Sequence, residues 1–435
     1  MYHPPKRGSM RNQIKTPALA QNRKRIVEDE KKKTKTIKVP LPPVIDEDTS
    51  ELGAIVIDNG SGTTKAGFGG EDDPRIVFPT LVAHPTSTFG PNSKPQIGQE
   101  ANAKWGILDC QHPIERGIIT NWDDMETIWR HTFYQLHCEP QHHPVLLTEV
   151  PLNPKANRER MTQIMFEIFQ APALYVNNTA ILALYANSRT SGCVLESGEG
   201  VSHAVPVCEG YVIPHAIMRL PLGGKDLTKL LQNALTERGH ALQDHIQKNF
   251  SDEGLVLQST AVHLQVQQMK ETLGYVALDF GHEMIKVVDS SAEIERTFDL
   301  VDGTSSITIG NERFYFPEHL FQPDDLIGLE EEGVADITYQ AIMKCDEHVQ
   351  YDMFSNIVLS GGSTMFPGFR ERMLRELTAL AGSIEVTIND TATDRANAPW
   401  VGGSILASLE QFNDMWITKQ EYDETGPSIV HKKCY

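Results

Sequence analysis

The sequence predicts an α/β protein, and three observations carry that expectation. Short β-branched runs alternate with amphipathic helical stretches along the chain. A strand ending in an acid and a Gly-x-Gly turn occurs twice, at Asp58-Asn59-Gly60-Ser61-Gly62 and at Glu196-Ser197-Gly198-Glu199-Gly200. A third strand, Asn356 to Ser360, delivers a Gly361-Gly362 turn. The recurrence suggests two duplicated βββαβα-like halves whose turns face each other across a cleft.

The bulk numbers fit this picture. A chain of 435 residues has room for two or more domains. Residues 1–40 hold twelve Lys and Arg against three Asp and Glu, a balance of +9, so the rest carries −28 of the formal −19. A basic arm on an acidic body is expected, and an acidic body is a poor direct nucleic-acid binder. Six cysteines without a Cys-x-x-Cys pair read as free thiols. There is no apolar run of 18 residues, so no membrane span is expected.

In chain order, residues 1–50 read as a disordered arm rich in Lys, Arg, Pro and Thr. Its clusters Arg23-Lys24-Arg25 and Lys31-Lys32-Lys33 suit a nuclear import signal, an electrostatic tether or simply a solvated tail. Ile55-Val56-Ile57 is a buried-type strand ending in Asp58. Gly60 and Gly62 let backbone N–H groups approach an anion, to which Ser61 adds a hydroxyl and Lys65 a charge. Asp58 is placed for a metal ion through water. The spacing is not a Walker A loop, and the stretch alone reads equally as a Gly-rich hairpin. Pro74 to Pro79 reads as extended, 84–98 as loop and 99–110 as helix. Trp122 to Leu136 is an amphipathic helix capped by Asn121. Val145 to Glu149 is a buried strand, and Asn157 caps the next helix. Tyr175-Val176 is strand-like, and Ala180 to Ala186 is helical.

The second hairpin, Gly192 to Pro206, repeats the first, so one anion can be gripped from both sides and Asp58 and Glu196 converge on its metal. Leu222 to Glu237 reads as a helix with Asp226 in its first turn, and 238–260 as irregular. A helix over Thr260 to Leu273, a strand over Tyr275 to Phe280 and a hairpin around Asp302-Gly303 follow. Gly368 to Leu380 is helical, and Gly402-Gly403 opens a last apolar helix over 404–412.

These residues resemble actin over nearly all of 54–435. The matching runs include Val56 to Gly62, Lys65 to Phe68, Asn121 to Glu126, Pro151 to Glu159, Pro214 to Ile217, Tyr275 to Phe280, Ile309 to Phe314 and Gly402 to Leu409. Lys419 to Glu424 and Lys433 to Tyr435 match as well. The chain looks like a divergent, conventional-actin-like protein or actin-related protein, with a basic N-terminus similar to germline-type members. Sugar kinases and chaperone ATPases share the two hairpins but not these long runs.

The resemblance implies an actin/Hsp70/hexokinase-type fold, with 51–187 plus 398–435 as one domain and 188–397 as the other. It implies ATP or ADP with Mg²⁺ or Ca²⁺ in the central cleft. Ser61, Gly62, Thr63 and Lys65 would hold the β- and γ-phosphates, with Gly60 in the same turn. Glu199, Gly200 and Val201 would form the opposing loop, and Asp58 and Glu196 would order the metal's waters. Gly224, Lys270 and Glu271 would meet ribose and adenine, and Gly361, Gly362, Ser363, Met365 and Phe366 the adenosine side.

Departures from the family pattern shape the functional expectation. The Gln that positions the attacking water is Thr179 here, which is shorter, and the family's Asp at the second loop is Glu196. His203 retains the second water-ordering group. A Lys near the adenine is Ala396, and a stacking Tyr is Phe366. The DNase-binding loop, residues 86–96, is shortened and carries Pro91 and Pro95. Arg116 replaces a His beside the phosphates, and 240–259 looks inserted. A groove near Tyr185, Thr190, Leu406, Leu409 and Met415 would take apolar faces of actin-binding proteins. The expected protein is cytoplasmic and cytoskeletal, binds nucleotide with slow or no hydrolysis, and has altered self-assembly. Co-assembly with actin or with itself in filaments, a filament-forming ATPase, and a nuclear actin-related subunit are the alternatives.

Overall fold

Ile55, Val56 and Ile57 are fully buried, and strand β1 (Ile55–Asn59) they form organises the first half of the fold. It turns back antiparallel into β2 (Thr63–Phe68), pairing Asp58 with Lys65. On its other side it runs parallel to β3 (Val145–Glu149), which runs parallel to β4 (Ala173–Asn178). The sheet is completed by Ile76–Pro79 beyond β2 and by Ile417–Thr418, from near the chain end, beyond β4. Parallel registry aligns the carboxyl ends of β1, β3 and β4, where α/β sheets present their ligand-binding residues. Helices α1 (Trp122–Gln135) and α2 (Thr179–Ala186) accompany this sheet. Asn121 caps α1 by accepting from the Asp124 N–H, and Trp129 sits fully buried in the core with Phe166 and Leu146.

The second sheet repeats the plan. Strand β5 (Gly192–Ser197) turns back into β6 (Ser202–Cys208) and runs parallel to β7 (Ile357–Ser360). Glu196 and Ser360 are register partners, so two strand ends again meet at one edge. Helices α3 (Gly224–Glu237) and α4 (Leu255–Leu273) pack on this half through Leu227, Leu231, Val262 and Val266. Helix α5 (Phe280–Asp289) and a hairpin of Arg296–Asp299 with Ser306–Ile309 lie beyond. Helix α6 (Ala398–Ser408) returns to the first half, where the Trp400 indole donates to the Val56 carbonyl at 3.0 Å. A Cβ on Gly402 would stand 1.8 Å from the Leu182 carbonyl oxygen, so only glycine lets α6 lie this close to α2.

The computed structural model describes residues 53–85, 94–103, 108–239, 255–300, 306–323, 330–389 and 394–434. All of them belong to one unit, Glu47–Tyr435. The arm over 1–50, most of the loop at 86–96 and residues 240–254 of the suspected insertion fall outside the described residues. No helix among the described residues is long and apolar enough to cross a membrane.

The α/β class and both hairpins stand as expected, and several boundaries differ. The stretch 99–110 is not one helix: Gln99–Ala103 is helical, and Asp109–Gln111 is a strand beside Val82–His84. Asn157 does not cap its helix. It lies inside Lys155–Glu167 behind Pro154, and its amide donates to the Ile119 carbonyl at 3.1 Å. Helix α4 begins at Leu255, within the stretch read as irregular. Tyr275 to Phe280 is no strand. Tyr275 N–H bonds the Arg313 carbonyl, Val276 N–H bonds the Pro367 carbonyl, and the Ala277 carbonyl takes the Arg372 guanidinium. Three different partners cannot make a ladder, and α5 starts at Phe280. Gly402 and Gly403 sit inside α6 rather than opening it, and a 3₁₀ turn over Glu410–Met415 follows.

Gly402→Ala is expected to cost about 2–3 kcal/mol through overpacking of α6 on the α2 backbone. A lowered denaturant midpoint with unchanged slope would register it, and an unchanged midpoint would reject the close-approach argument.

Candidate functional site

The two Gly-rich turns come together. A Cβ on Gly62 would lie 2.9 Å from the Glu199 side chain, and one on Gly200 would lie 2.8 Å from Ser61 Oγ. Each turn is closed by a backbone bond, Gly60 N–H to Thr63 O at 3.1 Å and Gly198 N–H to Val201 O at 3.1 Å. The N–H groups of Ser61, Gly62, Glu199 and Gly200 donate to no other described residue. They are donors of the kind that bind anions.

Beneath the turns lies a charged floor. Asp58 is buried, accepts Thr148 Oγ1 at 2.7 Å and pairs with Lys65 Nζ at 2.9 Å. Thr148, at the end of β3, also accepts the Asn59 N–H at 3.2 Å. Glu196, at the end of β5, accepts the Thr179 hydroxyl at 2.6 Å. Burial pushes the Glu196 carboxyl up to about 7, opposed by the Thr179 bond and increased by the charge of Asp58. His203 lies opposite Glu196 in the β5–β6 register. Burial and then the Arg219 charge push it down to about 3, so it is neutral at pH 7. Two carboxylates with one lysine beside them leave a negative excess that a divalent cation would relieve. Among the described residues no group of three or more His, Cys, Asp or Glu could hold a metal directly. The site therefore fits a cation held through water better than one caged by side chains.

The residues expected on the adenosine side divide. Lys270 is buried, bonds the Gly224 carbonyl at 2.8 Å and sits 3.6 Å from Glu199. Burial raises the Glu199 carboxyl against the opposing pull of Lys270. A Cβ on Gly224 would press within 2.3 Å of Glu199 Oε2, and one on Gly361, where φ is +88°, within 2.3 Å of the Ser197 carbonyl. Ser363 Oγ donates to the Gly198 carbonyl at 2.9 Å, while Gly362 faces open space. Three residues are less convergent. Glu271 is exposed and takes the Gln267 amide of its own helix. Met365 is 45% exposed. Phe366 is buried edge-on against Phe316 in the second core, so its ring is committed to packing. Val201 is buried in its turn and Thr63 is exposed.

Thr148 carries no signal of its role beside Asp58 in the sequence beyond its place in a buried strand. Arg116, expected beside the phosphates, is tied in more closely than its replacement of a His implies. Its guanidinium donates to the Gly200 carbonyl at 3.1 Å, to the Pro221 carbonyl at 2.6 Å and to both oxygens of Asp226 at 3.2 Å. Asp226 Oδ2 meanwhile accepts the Gly223 N–H at the start of α3. The next N–H, of Gly117, bonds Ser61 Oγ at 2.8 Å. The Arg116-Gly117 turn, with φ of +46° and +83°, thus touches both Gly-rich turns. The sequence does not show that this one turn bonds both Gly-rich turns at once.

A groove of about 250 Å³ opens elsewhere, lined by Tyr185, Leu406, Leu409 and Met415 with Tyr211 and Phe412. Thr190 does not line it.

A family model described as Actin matches residues 49–435.

Arg116 and Asp226 should couple by about 0.5–1 kcal/mol in a double-mutant cycle, since the pair is partly exposed and screened. Hydrogen exchange at Gly198–Val201 should quicken in Arg116→Ala. Additive stabilities together with unchanged exchange would show that Arg116 holds nothing.

Proposed function

The chain belongs to the actin family, and from that premise we propose an actin-like cytoskeletal or scaffold protein that binds ATP with a divalent metal between its two Gly-rich turns and hydrolyses it slowly. The observation that carries this reading is the apposition of the turns over Asp58, Lys65 and Glu196. Ser61, Gly62, Glu199 and Gly200 would cradle phosphate oxygens, and Asp58 with Glu196 would order the metal's waters. The metal's chemistry, when bound, is to neutralise charge on the phosphates.

Slow turnover follows from Thr179. Phosphoryl transfer to water depends on placing the nucleophile. The Thr179 hydroxyl is already given to Glu196 at 2.6 Å, and its side chain is too short to reach further. His203 is neutral and can still accept from a water. The groove lined by Leu406, Leu409 and Met415 supports a second role, receiving the apolar face of a partner helix. Cytoplasmic residence, and nuclear entry through the basic arm, belong to the same proposal.

Purified protein should retain a fluorescent ATP analogue in Mg²⁺, and Asp58→Ala should release it at least tenfold faster. Phosphate release should be slow, and Thr179→Gln combined with Glu196→Asp should raise it about tenfold or more. No retained nucleotide would sink the binding reading. Release by the unaltered chain as fast as by the double variant would sink the slow-turnover reading.

Sedimentation in Mg²⁺ and ATP checks assembly. The protein is expected to stay largely in the supernatant, and quantitative pelleting would establish a filament former instead.

A further inference from the structure

Helix α5 is apolar on two sides. Phe280, Met284 and Val287 pack inward around Ala277, Ile294 and Phe314. Ile285 and Val288, three residues apart and therefore on one face, point outward and are 59% and 85% exposed. Leu278, just ahead of the helix, is 52% exposed. One exposed apolar side chain needs no explanation, but two on the same face of one short helix, with Leu278 just ahead of it, mark an apolar surface.

The element is held firmly. The Asp279 carboxylate caps α5 by accepting the His282 N–H at 3.0 Å. Arg375 bonds the Leu278 carbonyl at 2.7 Å and Asp279 at 3.0 Å.

Charge around the patch is one-sided. Lys286, the one lysine or arginine of α5, is paired with Glu283 at 2.8 Å. Arg296 is turned onto the carbonyls of Glu293 and Glu295. The exposed carboxylates of Asp289, Glu293 and Glu295 form no ion pair with any described residue. A second copy of this face would set acid against acid, and an anionic lipid surface would be repelled.

We propose that the outward face of α5 is a docking surface for a cationic amphipathic helix of a partner protein. Leucine-sized side chains spaced three or four apart cover Ile285 and Val288, and flanking Lys or Arg pair with Asp289, Glu293 and Glu295. This surface is separate from the Gly-rich turns and from the Leu409 groove, and does not depend on nucleotide.

The test uses the full chain and a fluorescein-labelled 15-residue Leu/Lys amphipathic helix, read by anisotropy at physiological salt. Saturable binding is expected. Ile285→Glu with Val288→Glu should weaken it at least tenfold, and the milder Ile285→Ser with Val288→Thr several-fold at unchanged melting temperature. Asp289→Asn with Glu293→Gln and Glu295→Gln should weaken it and flatten its salt dependence. A Leu/Glu peptide of the same pattern should not bind. Equal binding by the Ile285/Val288 variants overturns the proposal, as does loss confined to Leu409→Asp. Two other results also overturn it: a concentration-dependent dimer abolished by Ile285→Glu with Val288→Glu, and binding to neutral phosphatidylcholine vesicles abolished by that variant.

Discussion

Two carboxylates drawn out of water toward each other, with a single lysine beside them, set the terms for the rest of this fold. A carboxylate withdrawn from water needs partners or a proton. Asp58 has both kinds of neighbour, a hydroxyl from Thr148 and a cation from Lys65. Among the described residues Glu196 has only the Thr179 hydroxyl at hydrogen-bond distance, and its carboxyl rises to about 7. The strands that end in Asp58 and Glu196 are apolar up to those ends and lie parallel and in register with β3 and β7. Along β1 and β5 the charged groups are confined to the strand ends.

Above that floor the turns present backbone N–H groups that donate to no other described residue. Glycine is required at Gly62 and Gly200 because each opposite turn occupies the space of a side chain. The Arg116-Gly117 turn then joins the two, giving one N–H to Ser61 and a guanidinium to Gly200 and Asp226. In the proposed function, holding an anion and cutting it are separated: the turns and the floor would serve holding, whereas the hydroxyl at the start of α2 is given to Glu196.

Much of this was legible in the sequence because period and punctuation speak locally. The β-branched run before Asp58, its echo before Glu196 and the Asn121 cap each act over a few residues, and each stands where the sequence put it. What was illegible depended on partners far along the chain. Tyr275 to Phe280 looks like a strand by composition, yet its three partners lie near residues 313, 367 and 372. Asn157 has the chemistry of a cap, but the carbonyl of Ile119 claims its amide. Phe366 could stack on a ligand by type, and the neighbouring Phe316 takes it into the core instead. Thr148 belongs to the same class, and so do the bonds of Arg116 to Gly200 and Asp226, since they appear only when strands and turns distant in sequence are brought together.

The first sheet also has a consequence for how the chain is made. Its outermost strand, Ile417–Thr418, and helix α6 both come from the end of the sequence. The Cys434 sulfur accepts the Val176 N–H of β4 at 3.4 Å, and Arg158 reaches the Cys434 carbonyl at 2.8 Å. The half that emerges first from the ribosome is thus the half that closes last. Until Ile417–Thr418 has been made, β4 presents an unpaired edge, a state in which newly made chains are prone to stray pairing.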